Sequence, residues 1–170
     1  GEFAAPWLIG ILSLLWTGLA IFLIVRMFAI QAPICIALTS GICITNLTYT
    51  LTAATYIYDL DTNMLAFLLA ALAAFLWKRN RFVSLLGALC VTIVLGIYQS
   101  YISVCIVLII LMSLIDLLNG KQFFPTLTKG ISGCVMLVLG AAIYALSLAA
   151  IRNFTGASMD TSMGNSLGQL

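Results

Sequence analysis

Charge is what this chain of 170 residues has least of. Aspartate, glutamate, lysine and arginine together make up 7% of it, as seven basic and five acidic side chains. A soluble domain carries about a quarter charged residues, because water must wet its surface. This chain cannot cover a globule that way, so lipid is the expected solvent for most of its surface. Histidine is absent altogether, which removes the commonest general base near neutral pH and the commonest metal ligand. A net charge of +2, dispersed along the chain, leaves no footprint for nucleic acid. The five cysteines each sit inside an apolar run and none forms a CxxC. They read as small buried hydrophobes rather than as a disulfide framework or a zinc site. There is no glycine-rich phosphate loop, no nucleophile elbow and no metal-ligand cluster, so neither a metal nor a cofactor is implied. No cleavable signal peptide is evident, since the first apolar run is long and no basic segment precedes it.

What is abundant is apolar length. Hydrophobic residues make up 64% of the chain, and the mean hydropathy is +1.21. About twenty apolar residues in a helix cross a hydrocarbon core of roughly 30 Å. The expected fold is therefore all-α, a polytopic membrane helical bundle of about six transmembrane helices in a single transmembrane domain. The spans fall near 6–25, 33–55, 62–77, 82–97, 102–118 and 131–151. The third is short, but Tyr58 and Trp77 at its ends suit an interfacial belt. Residues 82–118 form a nearly unbroken apolar run that would extend roughly 55 Å as one helix. It must fold back, and its only polar cluster is Tyr98-Gln99-Ser100-Tyr101. The serine-, glycine- and asparagine-rich stretch 152–170 reads as a loop.

The few charges orient the bundle. Arg26 follows span one; Lys78, Arg79 and Arg81 follow span three; Lys121 and Lys129 follow span five. These boundaries fall on one side of the membrane, with Arg152 alone on the other. The positive-inside rule makes the richer side cytoplasmic, which leaves Glu2, Asp59, Asp61 and Asp160 facing outward. The first span would then begin outside with no leader to carry it across. An earlier span is expected upstream, and the sequence reads as part of a longer one.

Carboxylates are rare, so Asp59 and Asp61 stand out, together at the outer mouth between spans two and three. One reading is a general base, or an anchor for sugar hydroxyls or a metal, in a cleft at the membrane face. The plainer reading lets Asp61 cap the third helix, where a side-chain oxygen meets orphan N–H groups. Asp59 has no such explanation and is the better functional candidate. The outer turn Tyr98-Gln99-Ser100-Tyr101 offers aromatic faces and an amide to a sugar head group; its plain alternative is a hairpin with interfacial tyrosines. Thr45, Thr48, Thr52 and Thr55 recur at helical spacing, with Asn46 and Tyr49 nearby. Such a stripe either faces protein or bonds back to its own backbone. Asp116 and Lys121 are placed for a local pair at the cytoplasmic interface. Arg152 either binds a phosphate through its fork of donors or snorkels to the interface. Two glycosylation sequons, at Asn46 and Asn153, carry little meaning, the first being embedded in the membrane.

In order along the chain stand Ala5-Pro6-Trp7-Leu8-Ile9-Gly10, Thr45-Asn46-Leu47-Thr48, the block Tyr58 to Ala66, and Leu95-Gly96-Ile97-Tyr98-Gln99-Ser100-Tyr101-Ile102. Together these resemble the type II glucosyltransferase family of bacteria and their phages, enzymes that glucosylate O-antigen. The resemblance covers most of the chain, and the Tyr-Gln-Ser-Tyr block is its most specific part. It implies a multi-pass inner-membrane enzyme with a GT-C-like fold, in which the loop 152–170 is periplasmic. Such an enzyme moves a glucosyl (hexosyl) unit from a polyprenyl-phosphate donor to O-antigen or lipopolysaccharide on the periplasmic face. An essential acid of GT-C enzymes lies in the first outer loop, which would precede Gly1. The candidates that remain are Asp59 and Asp61 for catalysis, and Tyr58, Tyr98, Gln99, Tyr101 and Arg152 for substrate binding. The implied partners are the lipid bilayer, a polyprenyl-phosphate-linked sugar and a glycan acceptor. The main rival is a transporter or flippase of lipid-linked sugars. Transporters tend to carry midplane charges and inverted repeats, neither of which is visible. A structural membrane subunit ranks third.

Overall fold

A computed structural model describes residues 6–45, 57–79 and 81–155 of the chain. Thr48, Thr52, Thr55, Asn46 and Tyr49 lie outside the described residues, as do Glu2 and Asp160. Among the described residues the fold is all-α. Six helices follow one another: α1 (Pro6–Phe28), α2 (Pro33–Ile44), α3 (Leu60–Arg79), α4 (Arg81–Ile97), α5 (Ile102–Leu118) and α6 (Phe123–Thr155). Single 3-10 turns at Ile57–Asp59 and Gln99–Tyr101 lead into α3 and α5. Four of the helices, α1, α3, α5 with its leading turn, and α6, are long and apolar enough to cross a membrane. Helices α2 and α4 are apolar but shorter.

The helix ends follow from local chemistry. α1 stops because Ala29 takes a left-handed conformation, φ 52°. The Ile30 N–H then reaches back to the Val25 carbonyl at 3.1 Å, and the Ala29 N–H to that of Arg26. This is a Schellman closure, in which orphan carbonyls of the last turn find donors. α5 closes the same way with Gly120 at φ 78°, and the Lys121 N–H bonds the Asp116 carbonyl at 3.1 Å. Pro33 opens α2 at a position where a missing N–H costs nothing. α6 begins at Phe123, where hydropathy alone had started the last span near residue 131. Pro125 falls in its first turn, where helices tolerate proline. At about 1.5 Å per residue α6 runs roughly 50 Å, well beyond one hydrocarbon core.

α3 is the hub, packed against α1, α4 and α5, while α6 lies across α4 and α5. Composition explains the position. Ala66, Ala70, Ala71, Ala73 and Ala74 of α3 are at most 1% exposed. Small side chains let backbones approach closely, and between membrane helices that close packing drives association. α1 meets α3 through a stripe at helical spacing: Ser13, Thr17, Ala20, Ile24 and Met27, all buried. The two hydroxyls on it are satisfied within their own helix, Ser13 donating to the Gly10 carbonyl and Thr17 to that of Ser13. α5 contributes Cys105, Leu108, Ile109 and Met112. The opposite faces carry large exposed apolar side chains, such as Leu14, Phe22, Ile110, Leu114, Val138 and Leu146. Such a surface suits lipid and not water. Of the cysteines only Cys105 is buried; Cys35 and Cys134 are exposed on outer faces, so the expectation of five buried cysteines holds for one.

Candidate functional site

The chain order of the helices sets two ends of the bundle. One gathers the end of α1, the end of α3, the end of α5 and the start of α6. There the Lys78 ammonium donates to the Met27 carbonyl, joining α3 to the last turn of α1. Lys121 pairs with Asp116 across the α5 terminus at 2.7 Å. A cavity of about 200 Å³ between these ends is lined by Phe28, Trp77, Lys78, Met112, Asp116 and Lys129, among others. Lys78, Arg79, Lys121 and Lys129, which the sequence assigned to one side, therefore lie at one end of the bundle.

The other end holds the candidate site. The 3-10 turn Ile57–Asp59 runs directly into α3, and the Asn63 side-chain amide donates to the Asp59 carbonyl at 2.8 Å, fixing the turn on the helix. Tyr58 and Asp59 are exposed. No hydrogen bond or ion pair from another described residue engages the Asp59 carboxylate. Asp61 is half-buried in the first turn of α3, where its Oδ1 accepts from the Thr62 backbone N–H at 2.8 Å and from the Thr62 hydroxyl at 3.3 Å. An acid there also faces the positive end of the helix dipole. Its contacts are those of an end residue, whereas the Asp59 carboxylate accepts no hydrogen bond from the described residues.

The Tyr98–Tyr101 turn sits beside α3. Tyr101 is buried, 7% exposed, while Tyr98 is 52% exposed. Their rings meet edge-on with centroids 5.9 Å apart, and Tyr101 also packs on Phe67 of α3 at 6.5 Å. Edge-to-face pairs at such separations are favourable beyond their buried area. Phe67 thus anchors the turn to the helix that begins with the aspartates. Sequence reading overlooked Phe67 and Asn63. The available signal was an aromatic within an alanine–leucine run, roughly two turns along α3 from Asp59 and Asp61. Gln99 is exposed beside Tyr98. No hydrogen bond joins the turn to Asp59 or Asp61 among the described residues.

Arg152 lies in the last turn of α6, exposed, with no ion pair among the described residues. Upstream on α6, Tyr144 lies against Gly96 near the end of α4. The helix carries Arg152 roughly 12 Å further along from that contact. The structure therefore brings Tyr98 and Tyr101 together, sets Tyr58, Asp59 and Asp61 on the same helix end, and leaves Arg152 apart. The threonine stripe is represented by Thr45, whose hydroxyl donates back to the Gly41 carbonyl at 2.7 Å. No group of three or more metal-ligating side chains gathers among the described residues.

Apolar spanning helices with a small-residue hub, and sparse polar groups sorted to two ends, define an α-helical membrane protein. The family model described as glucosyl transferase GtrII matches residues 2–169, and the chain belongs to that family. It is accordingly a membrane glucosyltransferase by family. No curated protein and no solved structure matches the chain significantly.

Proposed function

We propose that the chain transfers a glucosyl unit from a polyprenyl-phosphate donor to O-antigen or another lipopolysaccharide glycan at the periplasmic face of a bacterial inner membrane. The observation that carries this reading is the Asp59 carboxylate, exposed and unengaged by the described residues, at the end of the bundle opposite Lys78, Arg79, Lys121 and Lys129. Positive charge marks the cytoplasmic side, which supports an outward-facing Asp59. In the transfer, an acceptor hydroxyl oxygen bonds to the anomeric carbon as the bond from that carbon to the phosphate oxygen breaks. The hydroxyl proton passes to Asp59, or to Asp61 as the second candidate, and polyprenyl phosphate leaves with the bonding electron pair. Arg152 is the candidate cation to offset charge on the departing phosphate. Tyr58, Tyr98, Gln99 and Tyr101 would supply ring faces and an amide to the sugar. The isoprenoid tail would lie along the apolar outer faces.

The reading is tested with full-length protein in membranes given labelled polyprenyl-phosphate glucose. Label should appear in lipopolysaccharide, and Asp59→Asn should lower the transfer rate at least a hundredfold, the contribution typical of a general base, with folded protein at the wild-type level. Transport of the lipid-linked sugar across the membrane without transfer would mark a flippase instead.

A further inference from the structure

The basic end contains a feature that sugar transfer does not use. A groove of about 830 Å³ opens between the last turn of α3, the first turns of α4 and the N-terminal half of α6. Trp77, Lys78, Arg79 and Lys129 line one part of it, and Leu85, Val135, Met136 and Leu139 are among the residues that line the rest; no acidic residue borders it among the described residues. Its wall is held in place. The Trp77 indole N–H donates to the Ser132 hydroxyl at 2.9 Å, and that hydroxyl donates to the Lys129 carbonyl at 2.7 Å. Gly133 lets the indole approach α6 closely, since a Cβ there would lie 3.3 Å from Trp77. Lys78 is pinned by the Met27 carbonyl, but Arg79 and Lys129 are exposed and neither forms an ion pair among the described residues.

We infer that this groove seats an anionic glycerophospholipid of the leaflet that the basic end faces. Arg79 and Lys129, two cations that form no ion pair among the described residues, call for an anion. The apolar wall that continues from them calls for a chain attached to it, because a free phosphate would leave Leu85, Val135, Met136 and Leu139 uncovered. Basic pockets between membrane helices on the cytoplasmic side recognise lipid head groups by this chemistry. Its place at the end opposite Asp59 sets the groove apart from any handling of a sugar donor there. Arg79 and Lys129 bind the phosphate, and an acyl chain runs along α6 over Val135 and Leu139.

Native mass spectrometry of the full-length protein tests the assignment, by titrating phosphatidylglycerol or phosphatidylcholine onto delipidated protein. Phosphatidylglycerol should be retained in preference. Each cation at an anionic lipid surface contributes roughly fivefold in binding. The double variant Arg79→Gln/Lys129→Gln should therefore weaken phosphatidylglycerol binding about twentyfold or more. Lys121→Gln, which removes a charge paired with Asp116 outside the groove, should leave it within about twofold. Val135→Trp fills the apolar wall without touching charge and should also lower retention, so the question stays decidable if the double variant misfolds. Equal retention of the two phospholipids, equal loss in Lys121→Gln, or tighter retention of a polyprenyl phosphate than of phosphatidylglycerol overturns the assignment.

Discussion

At the scale of single residues, two aspartates two positions apart sit in different surroundings. The Asp61 carboxylate caps local N–H and hydroxyl groups of Thr62, and Asp59 bonds to no described side chain. Asp61→Asn keeps an oxygen acceptor and loses only the charge near the helix end, a loss of roughly 0.3–1 kcal/mol. Its melting temperature in detergent should fall slightly and transfer should stay within about threefold of wild type, as measured by label incorporation. Loss of transfer with unchanged melting would instead move the base from Asp59 to Asp61. Ala29 gives a second residue-scale prediction. It holds φ 52° without being glycine, a conformation that costs an L-residue roughly 1 kcal/mol. At the equivalent turn after α5 the chain uses Gly120. Ala29→Gly should therefore raise the melting temperature, and an unchanged or lower value would show that the Ala29 methyl is needed at that turn. The sequence offered Asp61 as a capping residue of the helix start and Asp59 as one without that role, but the strain at Ala29 was not legible, because residue types do not show backbone angles.

At the scale of helices, apolar run length located most of the elements, because a segment without water must satisfy its backbone internally and does so as a helix. The Tyr98–Tyr101 break was legible for the same reason, being the only polar cluster in a run too long for one crossing. Hydropathy missed the first turns of α6, where Lys121, Pro125 and Lys129 resemble a loop but only Lys121 precedes the helix. It also said nothing of which helix lies at the centre. Side-chain size carries that information: α3 is rich in alanine and becomes the hub, while bulkier helices surround it. The same logic governs the seam between α4 and α6. A Cβ at Gly140 would lie 2.7 Å from the Val91 side chain and 2.8 Å from the Ala88 carbonyl, whereas one at Gly18 would meet nothing within 4 Å. Thr92 reinforces the seam, its hydroxyl lying 2.9 Å from the Gly140 carbonyl while also facing that of Ala88. Gly140→Leu must part the two helices and should destabilise by at least about 1–3 kcal/mol. Gly18→Ala, gaining helix propensity in open space, should be neutral or stabilising by up to about 1 kcal/mol. Thermal unfolding in detergent compares the pair, and equal effects would rule out the close approach of α4 and α6. Thr92→Val should cost roughly 0.6 kcal/mol, the average for a hydrogen bond between membrane helices.

At the scale of the whole molecule, the arrangement of ends decides where chemistry takes place. Lysines and arginines that lie far apart in sequence meet because α1, α3 and α5 end, and α6 begins, at the same end of the bundle, which puts Lys78 and Arg79 beside the start of α6. That convergence was expected from charge spacing alone, since in the six-span reading of the sequence each basic cluster follows an odd-numbered span. The groove was not, because it depends on which residues of α6 pack beside α3 and α4. One experiment addresses the orientation. In full-length protein with native cysteines replaced, Asp59→Cys and Arg79→Cys are exposed to a membrane-impermeant maleimide in intact cells and again after permeabilisation. Both positions are exposed in the structure, so reactivity reports sidedness rather than burial. Position 59 should label in intact cells and position 79 only once the membrane is opened. They stand at the two ends of α3, whose length of about 30 Å equals a hydrocarbon core, so a span through α3 forces them onto opposite faces. Labelling of both from the same side would mean that α3 does not cross. A carboxylate at position 59 could not then face the periplasm while the basic groove faces the cytoplasm, and the proposed site of transfer would fall with it.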